Sequence, residues 1–437
     1  MKEKIYKLSL LISKSELVSK GGSALVFKIG GMLTIYLFHF LLAKKIGAEA
    51  NGIFSTFFTL LSIFGVFTVL GMDTYLLKKV AQFNSKRQWE ELKITYKKVL
   101  TLVLFLSVLI AGILYLLFTF GVLASYKQNS LIPYIILVLL PFSVLHINAE
   151  SFRAVKNIKL FSFFKNFSIY GLAVIVLFFV NNTSASLGVD AFIISVIILA
   201  VLSFILWIKD LDKKKSVLQE KIVLSTIIKE SFPMFLSGSL FLLMSWVDIL
   251  MLGYFNEQTD VGVYTIALKL ASVCTIILFA ANTILGPKIS ELHHNNQMQE
   301  LAKTVQNTAQ FTFLLSIPIF GIILLFPESL LAFFGSEFKE FPLAIETLII
   351  LSIGQMINVF FGAVIYILDM TGKQNVSKNI LLFTAFVNIA FNWYLIPIYG
   401  IKGAAIATTI SIFCWTILGA VSVKKHLNFY AFPIFKN

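Results

Sequence analysis

Long apolar runs separated by short charged segments dominate this chain. Bounded by charges or turn residues, they fall near 21–43, 52–77, 99–123, 131–152, 160–180, 189–208, 231–254, 262–287, 309–326, 343–368, 380–396 and 403–423. About 20 helical residues, rising about 1.5 Å each, cross a hydrocarbon layer about 30 Å thick. The pattern therefore predicts an all-α polytopic membrane protein with twelve transmembrane helices.

The segments between the runs alternate in charge. Seven of them (1–20, 78–98, 153–165, 209–230, 288–306, 369–379 and 424–437) hold 29 of the 36 Lys and Arg, and the opposite side holds only Lys44, Lys45, Lys127, Lys339 and Lys402. Cations stay on the cytoplasmic side, so both termini are expected in the cytoplasm. The longest hydrophilic stretch, Lys209 to Glu230 with its Lys213-Lys214-Lys215 run, is expected to link a lobe at 1–208 to a lobe at 231–437. The halves echo one another: Asn51-Gly52-Ile53-Phe54-Ser55 opens the second run and Val261-Gly262-Val263-Tyr264-Thr265 the eighth, each after a short outer hairpin. Repeats with an even number of spans share one orientation, as in alternating-access transporters. Two six-helix lobes around a central cavity are the expected architecture.

Composition narrows the function. Hydrophobic residues make up 58% and charged residues 13%, against about 45–50% and about 25% in soluble domains, so a soluble enzyme or secreted scaffold is excluded. The net charge of +14 is chiefly a topology signal. Arginine occurs only at Arg87 and Arg153, which leaves few bidentate phosphate donors for nucleic acid. Cys274 and Cys414 lie inside apolar runs, which points to neither a disulfide nor a metal site. The basic start leads into a full-length apolar segment, expected to stay as the first span and not to be cleaved. No nucleotide-binding glycine loop, HExxH or GxSxG motif is present, and the outer segment Pro327–Pro342 is too short and apolar for a polymerase. An enzyme is not expected.

Ionisable groups inside the runs each cost about 2.5–3.5 kcal/mol on insertion and so call for a role. Lys28 and His39 are eleven residues apart, which returns them to within about 20° of one helix face. That stripe either lines a substrate path or is structural, with Lys28 paired to Asp73. Asp248 and Lys269, counted from the outer hairpin between them, are placed at matching depth. They form an ion pair, or Asp248 holds a coupling proton or sodium ion, or Lys269 meets substrate phosphate. His146, Glu150 and Arg153 form one ridge, expected to be an ion-pair network at the inner mouth, with Lys165 snorkelling to the interface. Asn282, Asn358, Asn388 and Asn392 are further polar candidates, either cavity-lining or bonded between helices.

Two stretches resemble a known family. Ser245-Trp246-Val247-Asp248-Ile249-Leu250-Met251-Leu252-Gly253-Tyr254-Phe255 with Val261-Gly262-Val263-Tyr264, and the more specific Asn388-Ile389-Ala390-Phe391-Asn392-Trp393-Tyr394-Leu395-Ile396-Pro397-Ile398-Tyr399-Gly400-Ile401-Lys402-Gly403-Ala404-Ala405-Ile406-Ala407-Thr408, resemble the polysaccharide and O-antigen flippases of the multidrug/oligosaccharidyl-lipid/polysaccharide (MOP) exporter superfamily. The resemblance implies two lobes around a cationic cavity and movement of an undecaprenyl-pyrophosphate-linked oligosaccharide across the bilayer. It would place Lys28, His39 and Lys269 against substrate, with no cofactor beyond a coupling H+ or Na+. It further implies a monomer in a bacterial cytoplasmic membrane, served by polysaccharide polymerase and chain-length machinery. Multidrug extruders of the same fold often carry an acidic residue in the first span. Here that span has none, which favours an anionic substrate.

Overall fold

The computed structural model describes residues 16–122, 129–180, 184–212 and 223–433; the Lys213-Lys214-Lys215 run lies outside them. Among the described residues every regular element is helical: α1 (Glu16–Lys45), α2 (Ala48–Val69), α3 (Met72–Lys86), α4 (Trp89–Thr119), α5 (Ile132–Ala154), α6 (Ile158–Ser162), α7 (Ser168–Phe179), α8 (Leu187–Asp212), α9 (Leu224–Phe255), α10 (Gln258–Ser272), α11 (Ile276–His294), α12 (Met298–Leu325), α13 (Pro327–Ala332), α14 (Ser336–Glu340), α15 (Ala344–Phe361), α16 (Val364–Met370) and α17 (Gln374–Leu427). Among them, eight helices are long and apolar enough to cross a membrane, or nine when the bent α6–α7 pair counts as one span.

Some apolar runs are broken. The run at 52–77 is divided at Leu70 and Gly71, where φ is 46° and 73°. A side chain on Gly71 would overlap the Ser231 carbonyl and the Phe235 amide, so glycine serves both the turn and the close passage of α9. The amphipathic α3 that follows carries Lys78, Lys79 and Lys86. The fifth run passes through one wider helical turn, Phe163–Phe167, between α6 and α7.

The chain divides into two compact units, Met1–Lys45 with Phe57–Ser239, and Ile46–Thr56 with Leu240–Asn437. In the first unit, Met72, Tyr75, Leu76, Leu92, Tyr96, Val99, Phe152, Phe164 and Trp207 share one buried cluster. Inside it, the Tyr96 hydroxyl donates to Asn148 Oδ1 at 2.6 Å and Asn148 Nδ2 donates to Ser203 Oγ at 3.0 Å. This neutral chain satisfies polar groups that burial would otherwise penalise.

In the second unit the repeated motif packs on its own copy. A side chain on Gly52 would overlap the Gln258 carbonyl, and one on Gly262 the Ala48 carbonyl; both would stand 3.0 Å from the other glycine's amide nitrogen. The absence of a Cβ thus lets two helix starts touch backbone to backbone. Thr56 Oγ1 adds a bond to Gln258 Oε1 at 3.0 Å, and the Ala48 amide donates to Glu337 Oε1 on α14 at 2.7 Å. Residues 46–56, placed by sequence within the first half, therefore belong with the second unit.

Candidate functional site

Two helical hairpins of the second unit build the site. In α17 the backbone leaves helical geometry at Gly400 (φ 53°, ψ −130°), just after Pro397. Gly403 has no side chain to obstruct the Leu395 carbonyl. Asn392 and Thr408 each lie eight residues from Gly400 in sequence, and both bond the same carboxylate. A straight helix would separate them by about 24 Å, so the two arms of α17 fold back on one another. The turn between α9 and α10 has the same arithmetic about Asn256, with Asp248 eight residues before and Tyr264 eight after. The two turns adjoin: a Cβ on Gly400 would stand 3.4 Å from Asn256 Nδ2. Eight residues are about 12 Å of helix, so four arms bring four polar positions to one depth.

Asp248 stands at the centre of these arms and is buried. Its Oδ2 accepts from the Tyr264 hydroxyl at 2.8 Å and from Thr408 Oγ1; its Oδ1 accepts from Asn392 Nδ2 at 2.6 Å and Asn388 Nδ2 at 3.3 Å. Tyr264 and Thr408 also touch, at 3.1 Å. A carboxylate offers about four lone-pair places, and all four are filled. Every partner among the described residues is neutral, so the carboxylate has hydrogen bonds but no counter-charge from them. The amide oxygens of Asn388 and Asn392 are buried without a hydrogen-bond partner. Turned about, each amide would present an oxygen in place of a nitrogen.

Lys269 is not among the described partners of Asp248, which sets aside the ion-pair alternative for the two. The reason is register: α10 begins at Gln258, not near 262, so Lys269 falls about one turn, or about 6 Å, deeper. Tyr264 occupies the place assigned to it. Tyr264 and Thr408 were not among the candidates read from sequence, although both lie in the stretches that carry the family resemblance. All five residues of the site do.

Other candidates fall elsewhere. The Lys28 side chain, and with it the pairing to Asp73, lies outside the described residues, and the Asp73 carboxylate accepts from its neighbour's amide, Thr74 N, at 2.7 Å. His39 is buried, its ring edge-on to Phe38 with centroids 5.5 Å apart. Asn282 keeps a buried amide oxygen with no hydrogen-bond partner, and Asn358 is half-buried on α15; neither touches Asp248. On α5, Glu150 pairs with Arg153 at 3.4 Å and with Lys165 at 3.3 Å. Lys165 thus joins the network where it was expected to snorkel, because the wide turn at Phe163–Phe167 swings it toward α5. His146 packs on the Phe142 ring, 4.8 Å between centroids, and is not a partner of Glu150.

Comparison with known proteins bears on the family and the fold. The polysaccharide biosynthesis protein family matches residues 17–293, more than half of the chain. The chain belongs to that family. The MatE family also matches, over residues 233–394, a stretch that holds Asp248, Tyr264, Asn388 and Asn392. The probable low-salt glycan biosynthesis flippase Agl15 of Haloferax volcanii is 31% identical over 180 residues, 40% of this chain and 37% of that protein. The match therefore spans well under half of that relative. Among solved structures, an inward-facing multidrug resistance MATE family transporter of the MOP superfamily superposes with TM-score 0.69, covering 93% of this chain and 98% of that one at 16% identity. The lipid II flippase MurJ, inward closed, gives 0.66 over 93% and 87%, also at 16%. The fold is thus the one these MOP-superfamily transporters share.

Proposed function

We propose that this protein is a flippase, not an enzyme, and that it carries an undecaprenyl-pyrophosphate-linked oligosaccharide from the cytoplasmic to the outer leaflet of a bacterial cytoplasmic membrane. Twelve spans in two six-helix lobes would alternate in access, with both termini in the cytoplasm. Family membership, the flippase named among its relatives and the MOP-superfamily fold support this. Lys28, His39 and Lys269 are the proposed contacts for the anionic head. The polyprenyl tail would stay in lipid.

The observation that carries the mechanism is Asp248, a buried carboxylate held by four neutral donors. An uncompensated charge in a low-dielectric interior is costly, and a cation would remove that cost. The donor set fits a hard monovalent ion, since Asp248, Thr408 and Tyr264 offer oxygens and the two Asn amides offer more once turned. We therefore assign Asp248, Asn388, Asn392, Thr408 and Tyr264 to a coupling Na+ or H+. Bound there, the ion would supply positive charge to the junction of α9, α10 and both arms of α17. Its arrival or departure would change which packing of those arms is preferred.

The test is leaflet transfer in proteoliposomes, using a fluorescent polyprenyl-pyrophosphate oligosaccharide and a membrane-impermeant quencher. Transfer that depends on protein, speeds up with a Na+ or H+ gradient and falls at least tenfold in Asp248→Asn is the expected result. Transfer equal to that of empty vesicles would overturn the flippase reading. The MatE match favours a second reading, a cation-coupled exporter of small drugs. It would show as drug-stimulated cation flux in the same vesicles, lost in Asp248→Asn.

A further inference from the structure

The rule that orients a membrane protein asks for cations on one side but is silent on which half carries them. Here the halves differ. With the orientation proposed above, the inner segments of the first half (1–20, 78–98, 153–165 and 209–230) hold 22 Lys and Arg against 8 Asp and Glu, a net +14. Those of the second half (288–306, 369–379 and 424–437) hold 7 against 3, a net +4. Both halves share one topology, so about ten charges on the first are in excess of what orientation needs.

The structure gathers part of that excess at one rim of the first unit. Helices α3, α4 and α5 pack against one another, and their inner ends expose Lys86, Arg87, Lys97, Lys156 and, on α6, Lys159. None of the five has a carboxylate partner among the described residues. Arg87 and Lys156 follow the ends of α3 and α5 in left-handed conformations, φ 57° and 62°. Helix dipoles favour a cation at each such end, which accounts for two of the five at most.

What lies beyond the cations chooses the ligand. On α4, Lys97, Thr101, Leu104 and Val108 recur at helical spacing and are all exposed, so a cation heads a lipid-facing apolar stripe. A soluble acidic protein or a free anion would use the cation and leave the stripe unused. A phospholipid uses both, with its phosphate at the rim and an acyl chain along α4. We propose that this rim is a binding belt for anionic phospholipid headgroups, set apart from the second half by its density of cations.

The experiment uses the full chain in detergent with dioleoyl-phosphatidylglycerol, dioleoyl-phosphatidylcholine or inorganic phosphate, read by native mass spectrometry and thermal shift. Each interfacial cation is worth roughly fivefold in affinity for anionic lipid. A variant with Lys86, Arg87, Lys97, Lys156 and Lys159 all changed to Gln should bind phosphatidylglycerol at least about tenfold more weakly. A second-half control, Lys303→Gln with Lys373→Gln and Lys378→Gln, removes fewer and more scattered cations and should weaken binding clearly less than the five-site variant, while a charge-keeping variant with Arg at the four lysines should bind like wild type. Equal loss in variant and control would overturn the proposal, as would no preference for phosphatidylglycerol in wild type or full competition by inorganic phosphate. If the Gln variant does not fold, the wild-type lipid preference and the Arg variant still decide. The readout is lipid binding, so its failure is distinct from a failure of the flippase reading, which leaflet transfer reports. Cysteine labelling that placed 86–98 on the outer side would overturn the rim itself.

Discussion

Glu150 in the first unit and Asp248 in the second are both buried carboxylates, yet they are held in opposite ways. Glu150 meets two cations, Arg153 and Lys165; Asp248 meets four neutral donors and, among the described residues, no cation. Asp248 accepts four hydrogen bonds, and Glu150 meets one cation at each oxygen. The difference is that Glu150 has its counter-charge within the protein while Asp248 has none among the described residues, so of the two it is Asp248 that a proton or another external cation would suit. A structural ion pair and the coupling site proposed at Asp248 thus differ in where the opposite charge comes from.

That contrast can be broken directly. The largest effect is expected from Asp248→Asn, which keeps the shape and removes the charge. Transfer should fall tenfold or more while the unfolding temperature holds or rises, since removing an uncompensated buried charge costs little or stabilises. If the unfolding temperature falls steeply and transport survives, Asp248 is structural. Next is Glu150→Gln, which leaves Lys165 half-buried beside a neutral amide. A loss of about 1–2 kcal/mol is expected, measured by denaturation in detergent, with the ion dependence of transport unchanged. Tyr264→Phe removes one donor and should cost about 1 kcal/mol. Tyr96→Phe in the neutral cluster should cost about the same, but only Tyr264→Phe should raise the cation concentration needed for half-maximal transfer. The smallest effect belongs to Arg153→Gln: its side chain is 49% exposed, and such pairs are worth about 0–1 kcal/mol. A large effect there would mean that the rim of α5 gates transport.

How far each feature was legible follows from its range in sequence. The helical runs and the paired Gly52 and Gly262 motifs were readable because burial in lipid and close packing write themselves into local composition. Asp248, Asn388 and Asn392 stood out as polar groups in apolar runs. Tyr264 and Thr408 did not, because a hydroxyl in such a run costs far less than a charge and raises no alarm. The Asp248–Lys269 pairing failed for a geometric reason. Depth was counted from where the apolar run begins, while α10 starts four residues earlier at Gln258, and one turn of helix replaces one neighbour by another.

By itself, then, the order of residues determined that this chain lives in a bilayer as helices, that its halves repeat, and that a few buried polar groups need partners. These are consequences of transfer free energy and backbone hydrogen bonding, which act residue by residue. Which polar group meets which was decided only when α17 reversed at Gly400 and α9 and α10 met at Asn256. Those turns superimpose four positions, up to 160 residues apart in sequence, at one depth, and no local preference records that coincidence.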